Sequence, residues 1–307
     1  MLACTCPPPL KSGDELHVIA PSGALRELAA LQTSLALWED QGYRVKLTPG
    51  FDDRWGYLAG TDEHRRQQLL TAWQDPACRG ILCARGGFGG TRLLESWQWP
   101  SGSPKWLIGF SDITSLLWSL GTRGVSGVHG PLLTTLGNEP DWSRQRLFDW
   151  VAGRALPPLS GQSWRAGRVT GPLLPANLTV ATHLLGTAHE PNLQGAILAL
   201  EDVTEAPYRL DRMLTHWRML GKLSQLGGIA LGRFSRCDPP DNVPSFTVAE
   251  VLRDRLGDLG IPIVAALPFG HDGVNAALPV GVAATLDGDI GTLTIHPPSG
   301  KHASSSP

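Results

Sequence analysis

KWLIGFSDITSLLWSLGTR (Lys105–Arg123) joins a short apolar run to a stretch with helical spacing, and a serine stands at the junction. Trp106 to Phe110 reads as a buried strand, and a helix starts at Ser111 or Asp112. The same cadence repeats upstream. DELHVIA (Asp14–Ala20), YRVKLTP (Tyr43–Pro49) and GILCA (Gly80–Ala84) read as strands. Leu25 to Gly42, TDEHRRQQLLTAWQD (Thr61–Asp75) and TRLLESW (Thr91–Trp97) read as helices, with Thr61 as N-cap of the second. Strands alternating with helices specify an α/β protein with a mainly parallel sheet covered on both faces.

Beyond this half the pattern changes. GRALPPLSGQSWRAGRVTGPLLP (Gly153–Pro175) is rich in Pro, Gly and Ser and weakly periodic, as a linker or domain crossover would be. Apolar runs then recur at GAILALED (Gly195–Asp202), GGIALGRF (Gly227–Phe234), PIVAALPFG (Pro262–Gly270) and GVAATLDG (Gly281–Gly288), with a helical stretch at Arg209–Leu220 and a last strand at GTLTIH (Gly291–His296). The tail PPSGKHASSSP reads as disordered.

Bulk composition narrows the function classes. A chain of 307 residues is expected to form one large or two medium domains. Its balance of 42% hydrophobic and 18% charged residues is that of a soluble globular protein. A net charge of −2 without a dominant basic patch argues against nucleic acid as a partner. The apolar runs are too short to span a bilayer, and the first residues lack a charged segment followed by an apolar one, so a cytoplasmic protein without a membrane partner is expected. The five cysteines match no zinc spacing and read as free thiols.

Two strand ends carry candidate chemistry. ARGGFGGTRLL (Ala84–Leu94) lies between a strand and a helix, but Arg92 stands where a dinucleotide fingerprint needs its last glycine. The loop is either a tight turn needing positive φ or a backbone cradle for an anion or oxyanion. Ser111, at the end of the neighbouring strand, is either a helix cap or a nucleophile above a helix N-terminus, where ligands of doubly wound sheets sit. A serine nucleophile needs a base and a group that orients it. His271 and His129 follow apolar strands in glycine-containing turns, whereas His183 and His216 lie in helical patterns facing core or solvent. Glu201 ends a buried run, where a carboxylate needs a partner: either an arginine such as Arg209 or Arg212 or a catalytic histidine.

Taken together, GDELHVIAPSG, ARGGFGGTRLL, IGFSDITSLL, VHGPLL, LALEDVTEAPYRLDRML, GRFSRCD and PFGHDGVNAALPVG, in this order over Gly13 to Ile295, resemble the LD-carboxypeptidase family of serine peptidases, which includes the microcin C immunity peptidases. The resemblance implies a Rossmann-like layered N-terminal domain (1–155), a linker (156–170) and a smaller β-rich C-terminal domain (171–307, with the disordered tail from about 298), the active site lying in the groove between. It implies Ser111 as nucleophile, His271 as base and Glu201 as the orienting acid. The oxyanion donors would be the backbone N–H of Asp112 and of Gly86 or Gly87. No metal or other cofactor is required. Phe88 and Phe110 stand where the family often has tyrosine, and LLPANLTV (Leu173–Val180) departs from its glycine pair before the asparagine.

The implied reaction is release of the terminal D-alanine from murein tetrapeptides during cytoplasmic cell-wall recycling, and a homodimer is usual for such enzymes. A substrate carboxylate would call on Arg85, Arg92 or Arg209. Two rivals stand beside this reading. An immunity-type peptidase acting on an aminoacyl-nucleotide analogue would want an aromatic platform, for which Trp55, Trp99, Trp142 and Trp164 are candidates. A catalytically silent ligand-binding member of the fold is the other. A cysteine nucleophile does not fit, since Cys83 sits inside a strand.

Overall fold

The computed structural model describes residues 4–26 and 28–297. In the first half run β1 (Glu15–Ile19), α1 (Leu28–Asp40), β2 (Arg44–Leu47), α2 (Asp62–Gln74), β3 (Cys78–Cys83), α3 (Gly90–Leu94), β4 (Trp106–Gly109), α4 (Thr114–Thr122), β5 (Val128–His129), α5 (Leu133–Leu136) and α6 (Asp141–Val151). The second half adds β6 (Leu159–Ser160), β7 (Gln162–Arg165), β8 (Arg168–Asn177), α7 (Leu178–Leu184), β9 (Ile197–Val203), α8 (Pro207–Met219), β10 (Gly228–Ser235), α9 (Val248–Leu256), β11 (Ile263–Ala265), β12 (Leu278–Pro279), β13 (Ala283–Asp287) and β14 (Thr292–Ile295).

These elements make a six-stranded sheet, ordered β12-β5-β4-β3-β1-β2, and an eight-stranded one, ordered β6-β14-β13-β8-β9-β10-β11-β7. Neighbours among β2, β1, β3, β4 and β5 are parallel, which is the Rossmann-like layered part. The second sheet is mixed. β8 pairs antiparallel with β13 through its first residues and parallel with β9 through Leu173–Asn177. The fold is thus α/β, with a smaller β-rich C-terminal part.

Helix α4 explains how the sheets are joined. Every residue from Thr114 to Leu120 is buried, so this helix is covered on all sides. It packs against α7 and β8 of the second half while following directly from β4 of the first. Trp118 is fully buried, and its indole donates to Pro175 O across the junction at 3.0 Å. By contrast α2 buries one face only, where Leu69, Ala72 and Trp73 sit with Arg65 and Gln68, and its N-cap Thr61 accepts the His64 N–H at 3.2 Å, as the sequence pattern predicts.

Two expectations are corrected. The segment 156–170 is not a bare linker, because β6 and β7 lie within it and form the two outer edges of the second sheet. Their few residues are largely exposed, so they carry almost no apolar alternation to read. Nor do the halves stay apart in sequence. β12, from the second half, adds antiparallel to β5 and closes the first sheet. The expected disordered tail, from about 298, lies outside the described residues.

Candidate active site

Ser111 follows β4 by one extended residue, Phe110, and has φ of +63°. An L-residue rarely adopts this left-handed conformation, at a cost of roughly 1–2 kcal/mol, so the surroundings must impose it. Ser111 opens a 3-10 turn (Ser111–Ile113) and α4 itself begins only at Thr114. The N-cap position of the turn is Phe110, so the hydroxyl of Ser111 caps nothing. The strained turn instead lifts it toward a cleft.

The imposing contact is the side chain of Asp112. It is 2% exposed and accepts from Ser22 Oγ at 2.5 Å and from the Gly90 N–H at 2.7 Å. One carboxylate therefore ties the Ser111 turn to the loop after β1 and to the glycine loop after β3. Burial pushes its carboxyl above the usual range, opposed by those hydrogen bonds and by Arg65. Arg65 is itself fully buried, donating to Pro21 O, to Gly89 O at 2.9 Å and to Asp62. The sequence points to Asp112 only through its backbone N–H; the role of its side chain, and of Arg65 on the buried face of α2, depends on partners distant in sequence.

The glycine loop passes very close to the serine. A Cβ on Gly86 would lie 3.1 Å from Ser111 Cβ and 3.3 Å from its Oγ, which explains the glycine there. Gly87 has φ of +109°. Neither N–H makes a backbone hydrogen bond among the described residues.

Glu201, on β9, and His271, in the loop between β11 and β12, meet. His271 Nδ1 donates to Glu201 Oε2 at 2.6 Å, with the glutamate fully buried and the histidine side chain 16% exposed. The alternative arginine partner for Glu201 is overturned: Arg209 pairs with Glu205 instead, and the remaining oxygen of Glu201 takes the Asn177 amide at 3.3 Å. The His271 ring lies 4.7 Å from that of Phe110, the residue before Ser111. Its loop is anchored from below. Gly270 N–H donates to Asn275 Oδ1 at 3.3 Å, and Asn275 N–H donates to the buried Glu139 at 2.8 Å. His271 Nε2 and Ser111 Oγ have no hydrogen-bond partner among the described residues.

His129, the other strand-end histidine, is fully buried with neither ring nitrogen partnered, and burial beside His271 pushes it down to about 3. It is a neutral wall behind Phe110, 5.9 Å from that ring. Asn177 was missed as a functional residue, although an asparagine opening a helix is a legible N-cap; it caps α7 by accepting the Val180 N–H at 3.1 Å.

A cleft of 330 Å³ receives Ser111, Asp112, Gly87, Asn177, Asp202 and Glu205, so both halves of the chain line it. Through the shared Thr179, His183 and Glu205 it continues into a trough of 570 Å³ bearing Arg209, Arg212 and Tyr208. Of the arginines proposed for a carboxylate, Arg92 is engaged by Asp62 in a two-bond fork and Arg85 donates to Ala24 O at 2.6 Å, whereas Arg209 lines the trough. None of Trp55, Trp99, Trp142 and Trp164 lines cleft or trough. The Cys83 thiol is buried and its ionisation pushed far up.

A buried acid–histidine pair, and a serine on a strained strand-to-helix turn with a glycine loop packed against it, are parts from which acyl-transfer hydrolase sites are built. Two family models match the chain: the LD-carboxypeptidase N-terminal domain over residues 16–130 and the LD-carboxypeptidase C-terminal domain over 170–286. The chain belongs to the LD-carboxypeptidase family. A Synechocystis sp. protein assigned to the carboxypeptidases by name alone is 60% identical over 94% of this chain and 96% of its own. A murein tetrapeptide carboxypeptidase of Pseudomonas aeruginosa is 34% identical over 89% of this chain and 92% of its own. Among solved structures, a muramoyltetrapeptide carboxypeptidase from Oxalobacter formigenes superposes with a TM-score of 0.82 at 29% identity, covering 92% of this chain and 97% of that one. The microcin C7 self immunity protein MccF in complex with aspartyl sulfamoyl adenosine shares the fold, with a TM-score of 0.81 at 20% identity over 96% and 98% of the two chains.

Proposed function

We propose that this carboxypeptidase releases the terminal D-alanine of murein tetrapeptides, in cytoplasmic cell-wall recycling, through Ser111, Glu201 and His271. The observation that carries the reading is the 2.6 Å Glu201–His271 bond beside a serine held in a left-handed turn. The murein carboxypeptidases among its relatives support the substrate.

In this mechanism His271 Nε2 takes the Ser111 proton as Oγ attacks the carbonyl carbon before D-alanine. The tetrahedral oxyanion rests against the N–H groups of Asp112 and of Gly86 or Gly87. Glu201 holds the imidazole tautomer and balances the imidazolium. The C–N bond then breaks, and His271 passes its proton to the departing amine of D-alanine. Water, deprotonated by His271, hydrolyses the acyl-serine ester and returns the proton to Ser111. Attack requires the hydroxyl to swing toward Nε2 when substrate fills the cleft, as catalytic hydrogen bonds commonly tighten on binding. The arginines of the trough offer cationic groups to the carboxylates of such a peptide.

Mass spectrometry of a murein tetrapeptide incubated with the wild type and with Ser111→Ala tests this. Loss of one D-alanine with the wild type alone is the expected result. Cleavage by both proteins removes Ser111 from the chemistry. Cleavage by neither turns attention to an aminoacyl sulfamoyl adenosine, for which exposed Tyr208 in the trough offers an aromatic surface.

A further inference from the structure

Glu201 and Asp202 are successive residues of β9, and successive side chains of a strand ordinarily point to opposite faces. Here both carboxylates reach one amide. Asn177 Nδ2 donates to Glu201 Oε1 at 3.3 Å and to Asp202 Oδ1 at 3.1 Å. Opposite them, between Leu231 and Phe234, β10 carries one residue more than the facing stretch Leu200–Asp202 of β9, a bulge that increases the local twist.

Asp202 is 2% exposed and more heavily hydrogen-bonded than Glu201. Besides Asn177, its Oδ1 accepts the Val203 N–H at 2.7 Å, and its Oδ2 accepts the Thr179 N–H at 2.9 Å and the Thr179 hydroxyl at 2.8 Å. Asn177 cannot turn over. Its Oδ1 is committed to the Val180 N–H at 3.1 Å, and its own N–H donates to Thr114 Oγ1 at 3.0 Å. A continuous path therefore runs from Asp202 through the Asn177 amide to Glu201 and on to the His271 ring.

We propose that Asp202 is a positioning residue for the Glu201–His271 pair: its carboxylate holds the Asn177 amide so that Nδ2 meets Glu201 Oε1, leaving Oε2 aimed at His271 Nδ1. The functional meaning of this rests on the peptidase reading above; the hydrogen-bond path does not. Burial, reinforced by the neighbouring charge of Glu201, pushes the Asp202 carboxyl up to about 6. The other titratable groups lining the same cleft are Asp112, His183 and Glu205, and Cys237 follows β10. When Asp202 takes a proton it can no longer accept all four hydrogen bonds, and the hold on Asn177 weakens.

The test starts with the free protein. A histidine N–H in a 2.6 Å bond to a carboxylate gives a resolved low-field proton NMR signal. Asp202→Asn removes the charge at nearly constant shape and is expected to move or broaden that signal. With murein tetrapeptide it is expected to lower kcat at least tenfold while KM changes less than threefold. In the wild type the acid limb of kcat/KM is expected near pH 6. Thr179→Val, which takes away one donor to the ionised carboxylate, moves that limb to higher pH, and Thr179→Ser restores it. If Asp202→Asn only lowers the melting temperature, with the His271 signal and the acid limb unmoved, Asp202 is structural and the inference fails. If the wild type releases no D-alanine, the peptidase reading fails instead, and an unmoved NMR signal would sink the hydrogen-bond path separately.

Discussion

At the scale of single residues, the site is built from positions where an ordinary side chain would not fit or would not sit. Gly86 is the case next to the serine, because a Cβ there would press against Ser111 Cβ at 3.1 Å and Oγ at 3.3 Å. Gly86→Ala is expected to push Oγ aside and cost at least tenfold in kcat, with a change in unfolding free energy of about 1 kcal/mol. A loss of stability without loss of activity would show that the close approach has no part in turnover. His129 yields a pH prediction. Its folded value, about 3, lies below the ordinary histidine value of 6.5, so the unfolded chain takes up a proton that the folded chain refuses. The stability due to the neutral ring is full above pH 6.5 and is lost as pH falls toward 3. Between pH 7 and pH 5 this amounts to about 2 kcal/mol. His129→Phe, which cannot titrate, should lose that much less than the wild type over the same interval in denaturant titrations. Parallel losses in both proteins would mean that the buried ring is protonated after all.

At the scale of elements, what could be read from the chain depended on how much apolar pattern each piece carries. β1, β3 and β4 are buried apolar runs and α2 opens on a capping threonine, and they stand where those signals put them. The family motifs placed Ser111, Glu201 and His271, and the fold brings the latter two into contact. Less legible was whatever depends on a distant partner. β12 is two residues long and gains its place from β5; the β10 bulge shows only in register; the carboxylate of Asp112 is explained by Ser22 and Gly90, far away in sequence. That carboxylate supplies the element-scale prediction. Asp112→Ala leaves the Ser22 hydroxyl and the Gly90 N–H buried without an acceptor, which should destabilise the fold by roughly 2–4 kcal/mol. A change below about 0.5 kcal/mol in chemical denaturation would mean that the three loops hold together without it.

At the scale of the molecule, the two halves share one interior. A single connected cluster of buried side chains runs from Ile81 and Trp118 in the first half to Leu198 and Trp217 in the second. A second joins Leu16 and Trp106 to Ala230 and Leu286. Unfolding should therefore be one cooperative transition, with the calorimetric enthalpy equal to the van't Hoff enthalpy. Two resolved transitions would show that the halves are independent domains. The path of the chain between β11 and β12 has a further consequence. His271 lies on the very segment that leaves the second sheet to finish the first. Cutting the chain near residue 155 would leave the amino-terminal fragment with β5 as a bare sheet edge and the other fragment with a stray strand searching for it. Such pieces invite edge-to-edge aggregation when made separately. Co-expressed, they would recognise one another through Leu278 and Pro279, and the histidine would return to Phe110 only when that docking is complete. A split version of this protein would thus report reassembly by its own catalysis.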